Sequence, residues 1–259
     1  MDNKKIKNTI IVGGGTSGWI ACWYLLHNDV NITLIESKHI PPIGVGEGTT
    51  ILFYEFLQKC GISPDDIDGT LKYGINYLNW YSNHFSKYNN WYHPFYSYDF
   101  MEKSKFDDIM NNYSYDYMMN PRKVHHGPEQ IGITRYVGVH FNPNKLVSIL
   151  KKKCIERGVK YIQADVVDCK LNKDGNINSV VLNDDTKLKA DLFVDCSGFK
   201  RILISKLDDT KFVDYSDSLI CDRAIATHTD EKTNTKFHYT KATALSSGWS
   251  WNIPLKNKT

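Results

Sequence analysis

The stretch TIIVGGGTSG, residues 9–18, decides the fold. Its first four residues form a short, continuous apolar run, which is typical of a strand covered on both faces of a parallel sheet. The glycines follow this run directly, and the apolar segment Trp19–Leu26 predicts a helix. A second predicted strand, Asn31–Ile35, leads to Glu36. This order of strand, glycine-rich turn, helix, strand and acid predicts an α/β, Rossmann-type nucleotide-binding fold.

Each glycine of such a loop has a physical role. Gly13 makes the tight turn, Gly15 lets the backbone approach a pyrophosphate, and Gly18 permits close packing of helix on strand. The helix N-terminus offers free N–H groups to the phosphates, and Glu36 can bind the ribose hydroxyls while disfavouring a 2′-phosphate. FAD and NAD both remain open, as does a glycine-rich turn beside a solvated glutamate. The predicted cofactor-binding residues here are Gly13, Gly14, Gly15, Thr16, Ser17, Gly18 and Glu36.

The second half of the chain favours FAD over NAD. Three short runs, 166–171, 177–182 and 187–190, are separated by clusters of Asn, Asp and Gly, which predicts a β-meander. The buried strand that follows, Leu192–Cys196, stops at Gly198. A meander returning to such a strand resembles the FAD domain of flavoprotein monooxygenases. Before it, Leu146–Arg157 predicts an amphipathic helix with Asn142 or Asn144 as N-cap, and 159–162 predicts a strand.

Composition narrows the class of protein. A formal net charge of +3 over 259 residues is too small to indicate nucleic-acid binding. We interpret Lys151–Lys153 as the solvated side of a helix. No stretch has a membrane-spanning length, and the N-terminal apolar run is too short for a signal peptide. The six cysteines include no C-x-x-C pair, which argues against a zinc site and fits a reducing compartment. We therefore expect a cytoplasmic protein that binds neither nucleic acid nor membrane nor metal.

Four further motifs follow the first in the chain: IGVGEGT at residues 43–49, GTLK at 69–72 with Asn79-Trp80, DCSG at 195–198, and GWSWNIP at 248–254. With the glycine-rich loop, they make the sequence resemble the flavin-dependent tryptophan halogenases over nearly its whole length. The last motif matches the W-x-W-x-I-P pattern regarded as diagnostic of these enzymes. The resemblance implies an FAD-dependent fold and activity, with residues of this chain in the family's roles.

The activity implied is halogenation of an aromatic substrate: tryptophan, another indole, a phenol or a pyrrole. Reduced FAD from a separate flavin reductase, O₂ and chloride or bromide yield hypohalous acid, which a lysine delivers to the ring. Lys72 stands at that lysine's position. Its segment is so apolar and aromatic that the amine can be partly desolvated, with a lowered pKa. A lysine whose amine reaches solvent along an amphipathic element is the alternative.

The resemblance assigns further residues, each with a structural alternative. Residues 45–48 would lie against the flavin, or form a flexible turn. His93 and Phe95 would sandwich the substrate ring, or pack in the core. The tryptophans of the last motif would stand near the flavin, or also be core, and Val166 would contact adenine through its backbone. The residues concerned are Val45, Gly46, Glu47, Gly48, Val166, His93, Phe95, Trp249, Trp251, Ile253 and Pro254.

We predict one halogenase-like domain over residues 1–259. Residues 1–50 and 141–226 form its FAD-binding core, 51–140 a substrate-side insertion, and 227–259 the segment with the tryptophan motif. Family members are about twice as long, so we expect a C-terminal truncation that removes the second flavin-binding segment and the glutamate paired with the lysine. An FAD-dependent aromatic monooxygenase and an inactive flavin-binding fragment are the alternatives, and a homodimer is compatible with the sequence.

Overall fold

The structure is a computed structural model that describes residues 5–40, 45–80, 90–95, 137–207, 210–227 and 238–256. Much of the predicted insertion, at 81–89 and 96–136, lies outside these residues. The strands are β1 (Asn8–Val12), β2 (Asn31–Glu36), β3 (Glu47–Gly48), β4 (Thr70–Lys72), β5 (Gly74–Leu78), β6 (Asn90–Pro94), β7 (Gly138–Phe141), β8 (Lys160–Gln163), β9 (Val166–Leu171), β10 (Ile177–Leu182), β11 (Lys187–Lys189), β12 (Leu192–Asp195), β13 (Thr240–Leu245) and β14 (Gly248–Asn252).

The described α-helices are α1 (Thr16–Leu25), α2 (Ile51–Cys60) and α3 (Pro143–Glu156), and short 3₁₀ turns span Pro64–Ile67, Gly198–Lys200 and Ile204–Lys206. The chain divides into two compact units. The first comprises residues 1–43 and 144–222, and the second comprises 44–143 and 223–259. No helix among the described residues combines the length and hydropathy needed to cross a bilayer.

A parallel sheet in the order β12-β1-β2-β8 forms the centre of the first unit. Its middle strand β1 is buried from Thr9 to Val12, as the continuous apolar run predicts. The α/β, Rossmann-type fold is confirmed. Helix α1 begins at Thr16, directly after the glycines, and not at Trp19, because the apolar pattern starts one turn later than the helical hydrogen bonds.

The predicted β-meander is the antiparallel sheet β11-β10-β9. It shares one apolar core with the parallel sheet. Ile10 and Ile35 of that sheet pack in a cluster with Val180 and Leu182 of β10 and with Val166 of β9. The chain then returns to β12, which pairs in parallel with β1. The meander therefore covers part of the sheet that bears the glycine-rich loop.

The second unit contains two small sheets. In the first, β14-β13-β5-β6, only the β13–β5 pair is parallel. In the other, β7 lies between β3 and β4 and is antiparallel to both. Helix α2 is capped at its C-terminus by Gly61, whose φ of 61° is the left-handed conformation that glycine adopts at helix C-termini. These sheets bring together segments that are far apart in the sequence, as in the pairing of Thr240 with Ile75.

Helix α3 begins at Pro143, three residues before the predicted start, because proline is well suited to the first turn of a helix. Asn142 precedes the helix directly, whereas Asn144 lies inside it and is not its N-cap. Gly158 follows the helix with a φ of +96°, a positive value of the kind that glycine adopts just after helix C-termini.

Candidate functional site

The glycine-rich loop between β1 and α1 is packed so closely that a Cβ atom on two of its glycines would overlap backbone atoms. A Cβ atom on Gly13, whose φ is +115°, would lie 2.1 Å from the carbonyl oxygen of Cys196. A Cβ atom on Gly18 would lie 1.9 Å from the carbonyl oxygen of Gly13. At Gly15, by contrast, no heavy atom of the residues that the structure describes lies within 4 Å of the Cβ position. The loop is open at the position predicted to admit a pyrophosphate.

The N-terminus of α1 lies at this opening. Gly15 is its N-cap and, having no side chain, makes no side-chain capping bond. Thr16 and Ser17 begin the helix, whose first turn contains no acidic residue. The first N–H groups of a helix lack intrahelical partners and lie at the positive end of the helix dipole, so they attract phosphate oxygens. The loop therefore fits the pyrophosphate of a dinucleotide.

Glu36 ends β2 beside this loop, and its carboxylate is held by two groups that the sequence did not reveal. Lys151 Nζ lies 2.9 Å from Glu36 Oε2, and the Tyr161 hydroxyl donates to the same oxygen at 2.7 Å. The Glu36 side chain also lies against Gly14, where a Cβ atom would be 2.4 Å from Oε1. The carboxylate therefore has a defined position at the edge of the loop, where a ribose hydroxyl could be bound.

Lys151 belongs to the lysine run that we interpreted as solvated, and for this residue the interpretation is wrong. Its amine lies 3.7 Å from the centre of the Tyr161 ring, and only 32% of its side chain is exposed. Burial alone would lower the pKa of Lys151, but the hydrogen bonds to Tyr161 and Glu36 outweigh burial and raise it. The charged amine is therefore part of the support for Glu36.

Val166 begins β9 and packs its side chain into the core of the first unit. Only its backbone is therefore suited to an adenine contact, as the resemblance implies. The open Gly15, the uncapped helix N-terminus and the held carboxylate together fit the ADP part of a dinucleotide such as FAD.

Lys72 ends β4 in the second unit, where it pairs with Gly138 of β7. The lysine is only 5% exposed, so its amine does not reach solvent along the surface. Burial lowers the pKa of Lys72 to about 8, and no carboxylate of the described residues forms an ion pair with it. The amine is therefore poised between its charged and neutral forms near physiological pH.

An aromatic ring covers this amine. Lys72 Nζ lies 5.0 Å from the centre of the Phe95 ring, within cation–π distance. A backbone bond from Phe95 N–H to the Tyr73 carbonyl oxygen, 3.0 Å long, holds the ring's segment beside β4. A Cβ atom on Gly138 would lie 2.8 Å from Phe95 Cε2, so the ring fills the space that a side chain there would need. His93, two residues before Phe95, is exposed.

The glycine loop 45–48 belongs to the same unit. A Cβ atom on Gly48 would lie 3.2 Å from Lys72 Nζ and 3.2 Å from His140 Cδ2, so both groups border the space beside Gly48. Gly46 lies against Ile253 and Leu255 in a similar way. Burial also raises the pKa of Glu47. Ile43 and Gly44 of this motif lie outside the described residues.

The tryptophan motif forms β14 and the turn after it. Trp249 and Trp251 are alternate strand residues and are 48% and 65% exposed, so they do not pack in the core among the described residues. The Trp249 ring lies 6.3 Å from that of Trp80, whose indole N–H donates to the Ala242 carbonyl oxygen. Beyond Ile253, the Pro254 carbonyl oxygen accepts a 2.8 Å bond from the Thr70 hydroxyl. The motif is thereby bonded to the strand of Lys72.

Sequence reasoning missed His140, which lies beside Lys72 and is 0% exposed. Its ring nitrogens are bonded to the hydroxyls of Thr70 and Thr240. A lone histidine in a strand has no local signal for such a role. Elsewhere in the described part of the chain, none of the six cysteines forms a disulfide, and no three His, Cys, Asp or Glu side chains are grouped to hold a metal.

The fold and the loop geometry define an α/β protein of the Rossmann dinucleotide-binding class. The sequence profile of the family described as tryptophan halogenase matches residues 8–259, and the chain belongs to that family. It is 32% identical to tryptophan 7-halogenase RebH of Lentzea aerocolonigenes over 97% of this chain and 54% of RebH. It is 30% identical to tryptophan 6-halogenase ThaL of Streptomyces albogriseolus over 98% of this chain and 54% of ThaL.

The solved structures that this chain resembles include further halogenases. The tryptophan halogenase of Shewanella frigidimarina matches with a TM-score of 0.79 and 28% identity, over 98% of this chain and 55% of that one. The flavin-dependent halogenase BrvH of Brevundimonas matches with a TM-score of 0.77 and 27% identity, over 98% and 55% of the two chains. The chain thus spans about half the length of the relatives it matches.

Proposed function

We propose that this chain is the part of an FAD-dependent halogenase that holds the adenosine end of the cofactor and the reactive lysine. The observation that carries the proposal is the Lys72 amine, which is buried beneath Phe95 and has a pKa of about 8, in a member of the tryptophan halogenase family. FAD supplies the two-electron chemistry by which O₂ and a halide become hypohalous acid. The substrate class is an electron-rich aromatic ring: tryptophan, another indole, a phenol or a pyrrole.

The nucleotide would be held by residues of the first unit. N–H groups of the loop and of α1 would bind the pyrophosphate, Glu36 the ribose, and the Val166 backbone the adenine. In the second unit, residues 45–48 and the tryptophan motif from Trp249 to Pro254 are proposed to lie by the flavin. These assignments follow the family's motifs, and the open Cβ position of Gly15 supports the first of them.

Lys72 can handle the oxidant in either of its protonation states. The charged amine can donate a hydrogen bond to hypohalous acid and polarise it. The neutral amine can attack the halogen, forming an N–halogen bond and releasing water, and the aromatic carbon then takes the halogen while its ring proton is lost. A pKa of about 8 keeps both forms populated near neutral pH. Phe95, with His93, is proposed to flank the ring that accepts the halogen.

A separate flavin reductase and a cytoplasmic location complete the proposal. Reduced FAD has to be supplied from outside because the family's chemistry consumes it. The six cysteines, all of which the structure describes, form no disulfide, and this is compatible with a reducing compartment.

The test uses the complete protein with a flavin reductase, NADH, bromide and a panel of tryptophan, indole, phenol and pyrrole, analysed by mass spectrometry. Brominated products are expected, whereas hydroxylated products would indicate a monooxygenase and no products a flavin-binding protein without this activity. Lys72→Ala should lower product formation by a factor on the order of 10³. FAD binding and release of hypohalous acid, measured with a small diketone reporter, should be unchanged.

Lys59→Ala is the matched control, because Lys59 is an exposed lysine at the end of α2 in the same unit. It should retain full product formation. If Lys72→Ala brominates the substrate as fast as the native protein, Lys72 has no role in delivering the halogen.

A further inference from the structure

His140 of β7 is a fully buried histidine that makes two side-chain hydrogen bonds. Its Nδ1 lies 3.2 Å from Thr70 Oγ1, and its Nε2 lies 2.9 Å from Thr240 Oγ1. A buried imidazole needs partners for both nitrogens, because an unpaired polar atom inside a protein is destabilising. The two threonines provide these partners. Thr70 lies on β4, the strand of Lys72, and Thr240 lies on β13, which pairs with the strand of the tryptophan motif, β14.

The direction of each hydrogen bond follows from the single proton of each hydroxyl. Thr70 donates its proton to the Pro254 carbonyl oxygen, which can only accept, at 2.8 Å. Thr70 must therefore accept from His140, whose Nδ1 carries a proton. In the neutral ring Nε2 is then an acceptor, and Thr240 donates to it. The result is one directed chain from Thr240 through His140 and Thr70 to Pro254.

The surroundings keep this imidazole neutral. Burial lowers the pKa of His140 to about 3, and the nearby charges of Lys72 and His238 act in the same direction. A protonated ring here would place a second positive charge beside the amine of Lys72. The neutral ring instead gives Lys72 a polar neighbour without a charge.

His140 and Lys72 both border the space beside Gly48. Three atoms lie within 3.3 Å of the Cβ position of that glycine: His140 Cδ2, Lys72 Nζ and Thr240 Oγ1. Two of them belong to the directed chain, so movement of the imidazole or of the threonine would change the space that the amine occupies.

We infer that His140 is a positioning residue for Lys72, held as its Nδ1–H tautomer by Thr240, Thr70 and the Pro254 carbonyl oxygen. This inference rests on the proposed function, because it concerns the lysine that would deliver the halogen. It also gives the proline of the tryptophan motif a role: its carbonyl oxygen orients Thr70, and through Thr70 the imidazole. The motif would thus act on the lysine through hydrogen bonds.

The first test reads the tautomer in the native protein. Nitrogen NMR of the protein labelled with ¹⁵N-histidine should show one ring with Nδ1 protonated and Nε2 unprotonated, with no titration down to about pH 5, as expected for a pKa near 3. The signal is assigned by its loss in His140→Asn. A ring protonated at Nε2 alone, or one that titrates near neutral pH, would overturn the inference.

The second test uses isosteric pairs of variants. Thr70→Val and Thr240→Val each remove one hydroxyl from the directed chain of hydrogen bonds, whereas Thr70→Ser and Thr240→Ser retain it. Competitive acetylation of Lys72, followed by peptide mass spectrometry across pH, measures the pKa of the amine without any cofactor. The valine variants should shift the apparent pKa of Lys72 by at least about half a unit, and the serine variants should restore the native value.

In the complete enzyme, the valine variants should lower kcat by about 100-fold, because a small misplacement of a reacting group is that costly, and leave KM for the aromatic substrate nearly unchanged. If Lys72 has identical labelling profiles in the native protein and the valine variants, the hydrogen-bond chain through His140 does not position Lys72. Because the labelling and NMR readouts need no turnover, they decide the inference even if the protein proves not to halogenate.

Discussion

Gly15 and Gly18 lie three positions apart in one loop, but a side chain has opposite consequences at the two positions. A Cβ atom on Gly18 would overlap a backbone oxygen, while a Cβ atom on Gly15 would have no atom of the described residues within 4 Å. Gly18 is therefore required by the fold itself. Gly15 is required only if something else, here the proposed pyrophosphate, occupies the space beside it.

We expect Gly15→Val to fold normally and to lose FAD. Its backbone φ of −75° suits any residue, and its side chain would point into open space, so the free energy of unfolding without cofactor should change by less than about 0.5 kcal/mol. FAD affinity, measured by flavin fluorescence, should fall at least about 100-fold.

Gly18→Val provides the contrast. It should destabilise the protein by about 3 kcal/mol or more, because the backbone of Gly13, directly after β1, cannot move away from α1 without losing the packing of helix on sheet. If Gly15→Val binds FAD as tightly as the native protein, the pyrophosphate does not bind at this loop.

Side chains whose roles depend on distant partners were the hardest residues to predict. The sequence indicated a desolvated Lys72 because its own neighbours are apolar and aromatic. It gave no indication of Lys151, since a lysine on an amphipathic helix looks solvated until the helix is packed beside Glu36. The same holds for His140, whose two threonine partners are 70 and 100 residues away.

Asp195 at the end of β12 shows how one element fixes the start of the next. Its carboxylate accepts hydrogen bonds from the backbone N–H groups of Ser197, Leu203 and Ile204 and from the Ser197 hydroxyl. Burial would raise the pKa of Asp195, but these hydrogen bonds outweigh it and lower the pKa. The acid of the DCSG motif therefore shapes the turn whose Cys196 carbonyl oxygen touches Gly13.

Asp195→Asn should lower the free energy of unfolding by about 1–3 kcal/mol, because an amide can accept through only one of its two terminal atoms. Urea unfolding followed by circular dichroism measures the loss. Asp174→Asn, in an exposed turn of the meander, is the matched control and should be nearly neutral. Equal stabilities of the two variants would contradict this role of Asp195.

The elements differ in how well local pattern predicts them. Strand β1, the meander and β12 were predictable because short apolar runs bounded by turn residues are typical of strands. The short strands β4, β5 and β7 were not predicted. They form by pairing with segments that are distant in the sequence, as Lys72 pairs with Gly138 and Thr240 with Ile75. No local periodicity carries that information.

At the scale of the whole molecule, the two compact units carry different parts of the proposed chemistry. The first contains the glycine-rich loop and Glu36, and the second contains Lys72, Phe95 and the tryptophan motif. Their stabilities should also respond differently to pH, because the buried neutral histidine lies in the second unit.

We predict that acid destabilises the protein through His140. The unfolded chain protonates this histidine near pH 6.5, but the folded chain does so only near pH 3. Between these values the unfolded state binds the extra proton, so the free energy of unfolding should decrease as pH falls, by up to about 1.4 kcal/mol per pH unit. Above pH 6.5 this contribution is fully present.

Urea midpoints between pH 5 and 7.5 measure the slope. His140→Asn should flatten it, whereas His39→Asn should keep it, because the side chain of His39 is 77% exposed. If His140→Asn keeps the native slope, protonation of another group destabilises the folded state.

The hydrogen-bond chain through His140 also has a consequence for biosynthesis. Its members are contributed by residues 70, 140, 240 and 254, so closing it requires contacts that span up to 184 residues of sequence. Contacts of such long range form late in folding, because the loops between them must close first. A nascent chain on the ribosome that has not yet reached Pro254 lacks one member of this hydrogen-bond chain, so it cannot complete the surroundings of the reactive amine. We therefore expect the native surroundings of Lys72 to form only after the tryptophan motif has been translated.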